Sequence, residues 1–180
     1  RQTKLAEIAQ IGLSEHWLIK ADLIHFRVPV TILGGGSFGV VVCAEYQSCS
    51  VAIKVPRSST DRAMLQNLPE LANELRILRR ARHPNIVLFF GACIVANSGE
   101  LALVLEHVRG DRLDIFIDAP CTMGTFYGRC CILLNLCCAL QYLHSLVPCI
   151  VHGDLKASNV LVESAGADMR AKLIDFGLSR

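Results

Sequence analysis

An acid, a base and an amide stand at tight intervals in VHGDLKASNV, residues 151–160: Asp154, Lys156 and Asn159, with His152 just ahead of them. A carboxylate so placed can orient a hydroxyl or accept its proton, a nearby lysine can steady a transferred phosphoryl group, and an amide can bind a magnesium ion. Sixteen residues after Asn159, Asp175-Phe176-Gly177 supplies a second metal-binding carboxylate. Upstream, Gly34-Gly35-Gly36-Ser37-Phe38-Gly39-Val40-Val41 fits the pattern G-x-G-x-x-G-x-V. Glycines there let backbone N–H groups approach a phosphate with no side chain in the way. Lys54, fifteen residues after Gly39 within VAIK, could set its ammonium against those phosphates if a carboxylate held it. Glu74 is the candidate; Glu70 lies on roughly the same helix face, but Glu74 is preferred because NELRIL runs directly into RRARHPNIV. Each block alone has an ordinary alternative, such as a hairpin turn, a solvent-facing lysine or a capping residue. All four in this order and spacing are not expected by coincidence.

These residues need elements to hold them. VPVTILGGGSFGVVVCAEY places β-branched runs on both sides of the glycines, predicting strand, tight loop, strand, and SVAIKVP predicts a third strand closed by Pro56. A β-branched run after the glycines disfavours a dinucleotide-binding turn, which wants a helix there. Leu71, Leu75 and Leu78 recur at helical spacing between Leu68 and Arg82, and His83-Pro84-Asn85 stops the helix. IVLFFGACIV and LALVLEHV predict two antiparallel strands joined by ANSGE. Beyond Val108 the pattern turns helical: DRLDIFI is a short amphipathic segment, and a long apolar helix is expected from about 125 to 146. NVLVE and AKLID then read as short strands around the turn SAGAD. Residues 1 to about 24 read as helix or irregular extension, with Leu5, Ile8 and Ile11 on one face.

Bulk properties narrow the function classes. The chain has 180 residues, 52% apolar and 19% charged, which fits an ordered domain with a real core. Eighteen basic against sixteen acidic residues leave a net charge of +2, too balanced for nucleic acid or an anionic membrane surface as a partner. Nine cysteines, an odd number with no Cys-x-x-Cys pair and no signal-peptide pattern, point to buried thiols in a reducing compartment, and a cytoplasmic location is expected. A membrane-tethered parent protein is the alternative. The stretch Cys130–Val151 carries no formal charge over 22 residues, long enough to span a bilayer. Asn135, Gln141, His144 and Pro148 interrupt it, while Leu133, Leu136, Leu140 and Leu143 keep helical spacing, so a buried helix of a large core is preferred and no membrane span is predicted.

The set of motifs resembles that of the eukaryotic protein kinase family, from about Val28 to the last residue. The resemblance implies an α+β bilobal fold: an extension at 1–27, an N-lobe at 28–108 with an antiparallel sheet and one helix, and the first part of a helical C-lobe at 109–180. It implies ATP as cofactor with Mg2+ (or Mn2+), and proteins with Ser or Thr hydroxyls as substrates. By resemblance Gly34, Gly36 and Gly39 cover the phosphates, with Leu33 beside them; Lys54 contacts the α- and β-phosphates and pairs with Glu74. Asp154 is the catalytic base, with Lys156 beside it, and Asn159 and Asp175 hold the metal. Leu105 stands at the gatekeeper position, followed by Glu106, His107 and Val108 against the adenine edge; Val41 and Ala52 lie above the adenine and Leu161 below. Leu78, Phe89, His152 and Phe176 would form the internal spine. Lys156, HPNIVLFFGAC and IDFGLSR are most similar to the tyrosine-kinase-like group of serine/threonine kinases, Raf-like or mixed-lineage.

Two departures from the family shape the expectations. Gly153 stands where many members carry an arginine that receives an activation-loop phosphate, so independence from that pairing is expected. The chain starts at Arg1 and stops at Arg180, three residues past Gly177 and short of any A-P-E segment, so a truncated domain is expected, with the apolar face of its long helix exposed. A nucleotide-binding pseudokinase or scaffold is the alternative function. The intact set Lys54, Glu74, Asp154, Asn159 and Asp175 argues against it, and the early stop argues for it.

Overall fold

The β-branched runs around the glycines fold as strands. The computed structural model describes residues 2–36, 39–56, 61–95, 99–118, 126–165 and 168–180. In chain order the elements are α1 (Gln2–Ser14), β1 (Ile24–His25), β2 (Ile32–Gly36), β3 (Gly39–Tyr46), β4 (Cys49–Pro56), α2 (Asp61–Leu78), β5 (Phe89–Ile94) and β6 (Leu101–Glu106). There follow β7 (Asp111–Arg112), α3 (Leu113–Asp118), α4 (Phe126–Ser145), β8 (Val160–Ala165) and β9 (Asp168–Leu173), and 3-10 turns lie at Ala21–Leu23 and Ala157–Asn159. Two compact units result, one of residues 1–69 and 89–107, the other of residues 70–88 and 108–180.

The first unit is built on an antiparallel sheet of order β1-β3-β4-β6-β5, with β2 also paired to β3. Strand alternation sorts its residues onto two faces. Val42, Ala44, Val51, Ile53, Ala102 and Val104 face one way and join Ile19, Ile24 and Cys93 in a buried cluster. The chain ahead of the sheet takes part in this unit. Leu18 bridges to Ala92, the Ile19 N–H donates to the Ala92 carbonyl at 2.8 Å, and Trp17 is buried. The expected extension therefore contributes both helix α1 and core residues. Of the glycine motif, Ser37 and Phe38 lie outside the described residues, as do 96–98 of the turn ANSGE.

The second unit centres on the sheet β7-β8-β9. Helix α4 lies along β9, where the Ala171 N–H donates to Asn135 Oδ1 at 2.9 Å. Leu71, Leu75 and Leu78 are buried, so the stripe read on α2 is its inward face. The helix ends at Leu78, four residues short of the expected Arg82, and begins at Asp61 rather than Leu68. Tyr142 of α4 secures its exit: its hydroxyl accepts the Arg82 N–H at 2.9 Å, and its ring stacks on His83 with centroids 5.2 Å apart. Asn85 then joins β9 by accepting the Leu173 N–H at 2.9 Å.

Two expectations need correction. The buried stripe of α4 is Gly128, Ile132, Ala139 and Leu143, whereas Leu133 is 62% exposed. A helix apolar all round offers several equivalent leucine stripes, and the neighbours chosen by β9 decide which one turns inward. By length and composition α4 remains a helix apolar enough to cross a membrane. The cysteines are also less buried than expected. Of the eight described, all free thiols, only Cys93 is buried, while Cys49, Cys130, Cys137 and Cys149 are exposed. Two of the four exposed, Cys130 and Cys137, sit on α4, and their exposure follows from the same orientation of that helix.

Candidate active site

In the first unit, cross-strand register gathers the candidate ligand-facing residues. Val41 pairs with Lys54, and Cys43 pairs with Ala52. Ala52 in turn pairs with Leu105, and Lys54 with Leu103. Directly opposed residues share a face, as do residues two apart along a strand. Val41, Ala52, Lys54 and Leu105 therefore lie on one face, opposite the one that carries Val42, Val51 and Ile53. Glu106 pairs with Val51 and so stands on the buried-cluster side, where its main chain is what can serve the other face. His107 follows, with Nδ1 2.7 Å from Ser50 Oγ.

The glycines close the end of that face. Gly34 pairs with Val41 and Gly36 with Gly39, and Leu33 is 40% exposed. A Cβ on Gly34 would meet nothing within 4 Å, whereas one on Gly39 would fall 2.1 Å from the Val55 carbonyl oxygen. Gly39 also has a φ of +154°, at the edge of what a residue with a side chain adopts. The two glycines therefore differ: Gly34 leaves open space beside its backbone, and Gly39 lets β3 and β4 close together.

The second unit holds Glu74, Val108, Asp154, Lys156, Asn159, Leu161 and Asp175. Glu74 is only 1% exposed, a burial that a carboxylate tolerates only with polar or charged partners. Val108 is buried and Leu161 half-buried at the start of β8. Asp154, Lys156 and Asn159 converge. Lys156 Nζ donates to Asp154 Oδ2 at 2.6 Å, and Asn159 Nδ2 donates to the same oxygen at 2.9 Å and to the Asp154 carbonyl at 2.9 Å. The bond from Lys156, then that from Asn159, holds the Asp154 carboxyl below its usual range despite partial desolvation, so it is ionised at neutral pH.

His152 anchors the loop beneath. It is buried, its ring 4.8 Å from that of Phe176. Nε2 lies 3.1 Å from the Ile174 carbonyl, which only a donor N–H can satisfy, and Nδ1 accepts the Asp154 N–H at 3.4 Å. Burial lowers its pKa, the Ile174 bond opposing, so a neutral ring protonated on Nε2 fits every contact. The Ile174 N–H donates to the Asn159 carbonyl at 3.0 Å, tying the turn before Asp175 to the loop. Asp175 itself adopts φ +64°, a left-handed conformation costly for a residue with a Cβ and frequent at functional sites.

The residues fit a magnesium–nucleotide pair in donor chemistry. With the Asn159 amide nitrogen committed to Asp154, its oxygen remains as acceptor, and with the Asp175 carboxylate it offers the hard oxygen ligands magnesium takes. Sequence reasoning missed Asn73, Ser179 and the part played by Gly153. Asn73 directly precedes Glu74, and its side chain reaches the main chain after Asp-Phe-Gly. Only its position beside Glu74 could have marked it. Ser179 Oγ donates to the His152 carbonyl at 2.8 Å.

Comparison with known proteins accords with this geometry. The model of the family described as "Protein kinase domain" matches residues 28–180. The chain is 36% identical over 171 residues to the serine/threonine-protein kinase VIK of Arabidopsis thaliana, covering 91% of this chain and 36% of that protein. It is 35% identical to the dual specificity protein kinase shkA of Dictyostelium discoideum, covering 83% of this chain and 27% of that one. It is 37% identical to the probable serine/threonine-protein kinase SIS8 of Arabidopsis thaliana, covering 82% and 14%. The chain thus spans about a third or less of the length of these relatives.

Proposed function

The chain belongs to the protein kinase domain family, and from that membership we propose that it transfers the γ-phosphate of ATP to serine or threonine hydroxyls of protein substrates. The observation that carries this reading is the Asp154–Lys156–Asn159 cluster, in which one carboxylate oxygen accepts from both an ammonium and an amide. Asp154, held ionised, orients the substrate hydroxyl and receives its proton late, when bond formation has made that oxygen acidic. Lys156 offsets charge on the transferred group. Lys54, steadied by Glu74, holds the α- and β-phosphates under Gly34, Gly36 and Gly39. Leu33, Val41 and Ala52 cover the adenine, Leu161 supports it from below, and Leu105, Glu106 and Val108 border its edge. Magnesium, or manganese, held by Asn159 and Asp175 would supply charge neutralisation at the phosphates. Rate enhancement then comes from positioning and electrostatics, with no covalent enzyme intermediate.

Lys156 and the names of two relatives support Ser/Thr specificity. HPNIVLFFGAC and IDFGLSR support placement in the tyrosine-kinase-like group. A cytoplasmic site of action accompanies this proposal. The test is thermal unfolding with ATP and magnesium. At a ligand concentration about 100 times Kd, linkage stabilises by about 2.7 kcal/mol, or roughly 5–10 °C for a chain of this size. Lys54→Ala or Asp175→Ala should remove most of the shift. No shift in the folded wild-type chain overturns nucleotide binding. A shift without transfer to serine, threonine or tyrosine peptides by the full-length protein favours a pseudokinase.

A further inference from the structure

The segment that follows Asp175 is gripped from two sides, and neither grip uses a charged group on the segment. On the helix side, Asn73 Nδ2 lies 3.0 Å from the Gly177 carbonyl, 2.6 Å from that of Ser179 and 3.4 Å from that of Phe176. Its Oδ1 accepts from Arg76, one helical turn on, at 2.9 Å. That bond settles the orientation of the amide, because the oxygen is taken on the helix surface and both N–H groups are left for the segment. On the loop side, Val151 and Arg180 exchange backbone bonds of 2.7 and 3.0 Å, and Ser179 Oγ donates to the His152 carbonyl. The Leu178 carbonyl oxygen lies 2.3 Å from where a Cβ of Gly153 would be, and Gly153 has a φ of +78°. The missing side chain is what admits the segment.

We propose that Asn73 is a positioning residue for Asp175: it ties helix α2, one residue from Glu74, to the main chain just past Asp-Phe-Gly, and so sets the carboxylate for its metal. The role rests on the proposed kinase function for its consequence, but the grip itself does not. Glu74 and Asp175 are thereby coupled through a neutral amide, with Gly153 as the space-making partner. The grip on residues 176–180 uses no arginine–phosphate pair.

Amide hydrogen exchange on the nucleotide-free chain tests the grip. Ser179 and Arg180 donate their N–H groups to Phe176 and Val151, and in Asn73→Ala both should exchange roughly tenfold faster or more, as loss of a multiply bonded donor implies. Asn73→Asp keeps the size and the Arg76 contact but removes the donor, and should do the same. Amides of the β3–β4 ladder should not change, which separates release of the segment from general unfolding. Unchanged exchange at Ser179 and Arg180 in both variants overturns the proposal. Nucleotide affinity with magnesium and with EDTA tests the consequence: the variants should lose most of the gain magnesium confers while keeping the metal-free affinity. If wild type binds and the variants keep the full magnesium gain, Asn73 does not position Asp175 and the kinase proposal stands. If wild type binds no nucleotide, the kinase proposal falls, and the exchange result still decides whether Asn73 holds the segment.

Discussion

His152 carries a single proton on Nε2, and the Ile174 carbonyl and the Asp154 amide leave no contact that a second proton would satisfy. Burial lowers its folded pKa below the ordinary 6.5. The unfolded chain therefore takes up the extra proton first as pH falls; stability is full above about 6.5 and declines below it. Urea midpoints measured from pH 7.5 to 5 should fall on the acid side, and His152→Phe should flatten that slope while costing about 1 kcal/mol at pH 7.5 through the lost hydrogen bond. An unchanged slope would place the titration elsewhere. Asp154 does not confound this measurement, because its carboxyl is held below its ordinary 3.8. The stability it draws from Lys156 is present above that value and is lost only as pH falls through the lower folded one.

At the scale of elements, α4 shows how a helix is oriented by what it meets. Leu143 is fully buried and Leu133 is 62% exposed, although both are leucines of one apolar helix. Leu143→Ala should cost about 2–5 kcal/mol of unfolding free energy, and Leu133→Ala within about 0.5 kcal/mol, both read from denaturant melts. Equal costs would mean the helix is turned otherwise. The contrast also explains what was legible beforehand. Strands β3 to β6 were readable because alternation and turn residues are local signals, and the α2 stripe because its other faces are polar. Asp154, Lys156 and Asn159 were readable because they lie within six residues and fold back on one another. The inward face of α4 was not, because the choice rests with Asn135 finding the Ala171 amide, a contact 36 residues away. Asn73 escaped notice for the same reason: its carbonyl partners stand more than a hundred residues later.

For the whole molecule, the thiols give a map of what is covered. Cys49, Cys130, Cys137 and Cys149 are exposed, and Cys93 is buried, with burial also pushing its thiol pKa up. Alkylation under native conditions, followed by mass spectrometry, should label the first four readily and Cys93 only after denaturation. Rapid native labelling of Cys93 would mean that the sheet's core opens. The exposed apolar and thiol-bearing face of α4, with Leu133, Leu134, Cys130 and Cys137, makes aggregation of the isolated chain an expected handling problem. Reducing conditions should limit the covalent part of it.

The closeness of the Leu178 carbonyl to Gly153 bears on how this lineage can change. Glycine and arginine codons lie a single base apart, so the genetic code offers the arginine common at this position in one mutational step. The fold does not: any side chain there meets main chain at 2.3 Å in a backbone conformation suited to glycine. An arginine at 153 would first require residues 178–180 to settle elsewhere, so a substitution that is one step in the code is at least two in the fold.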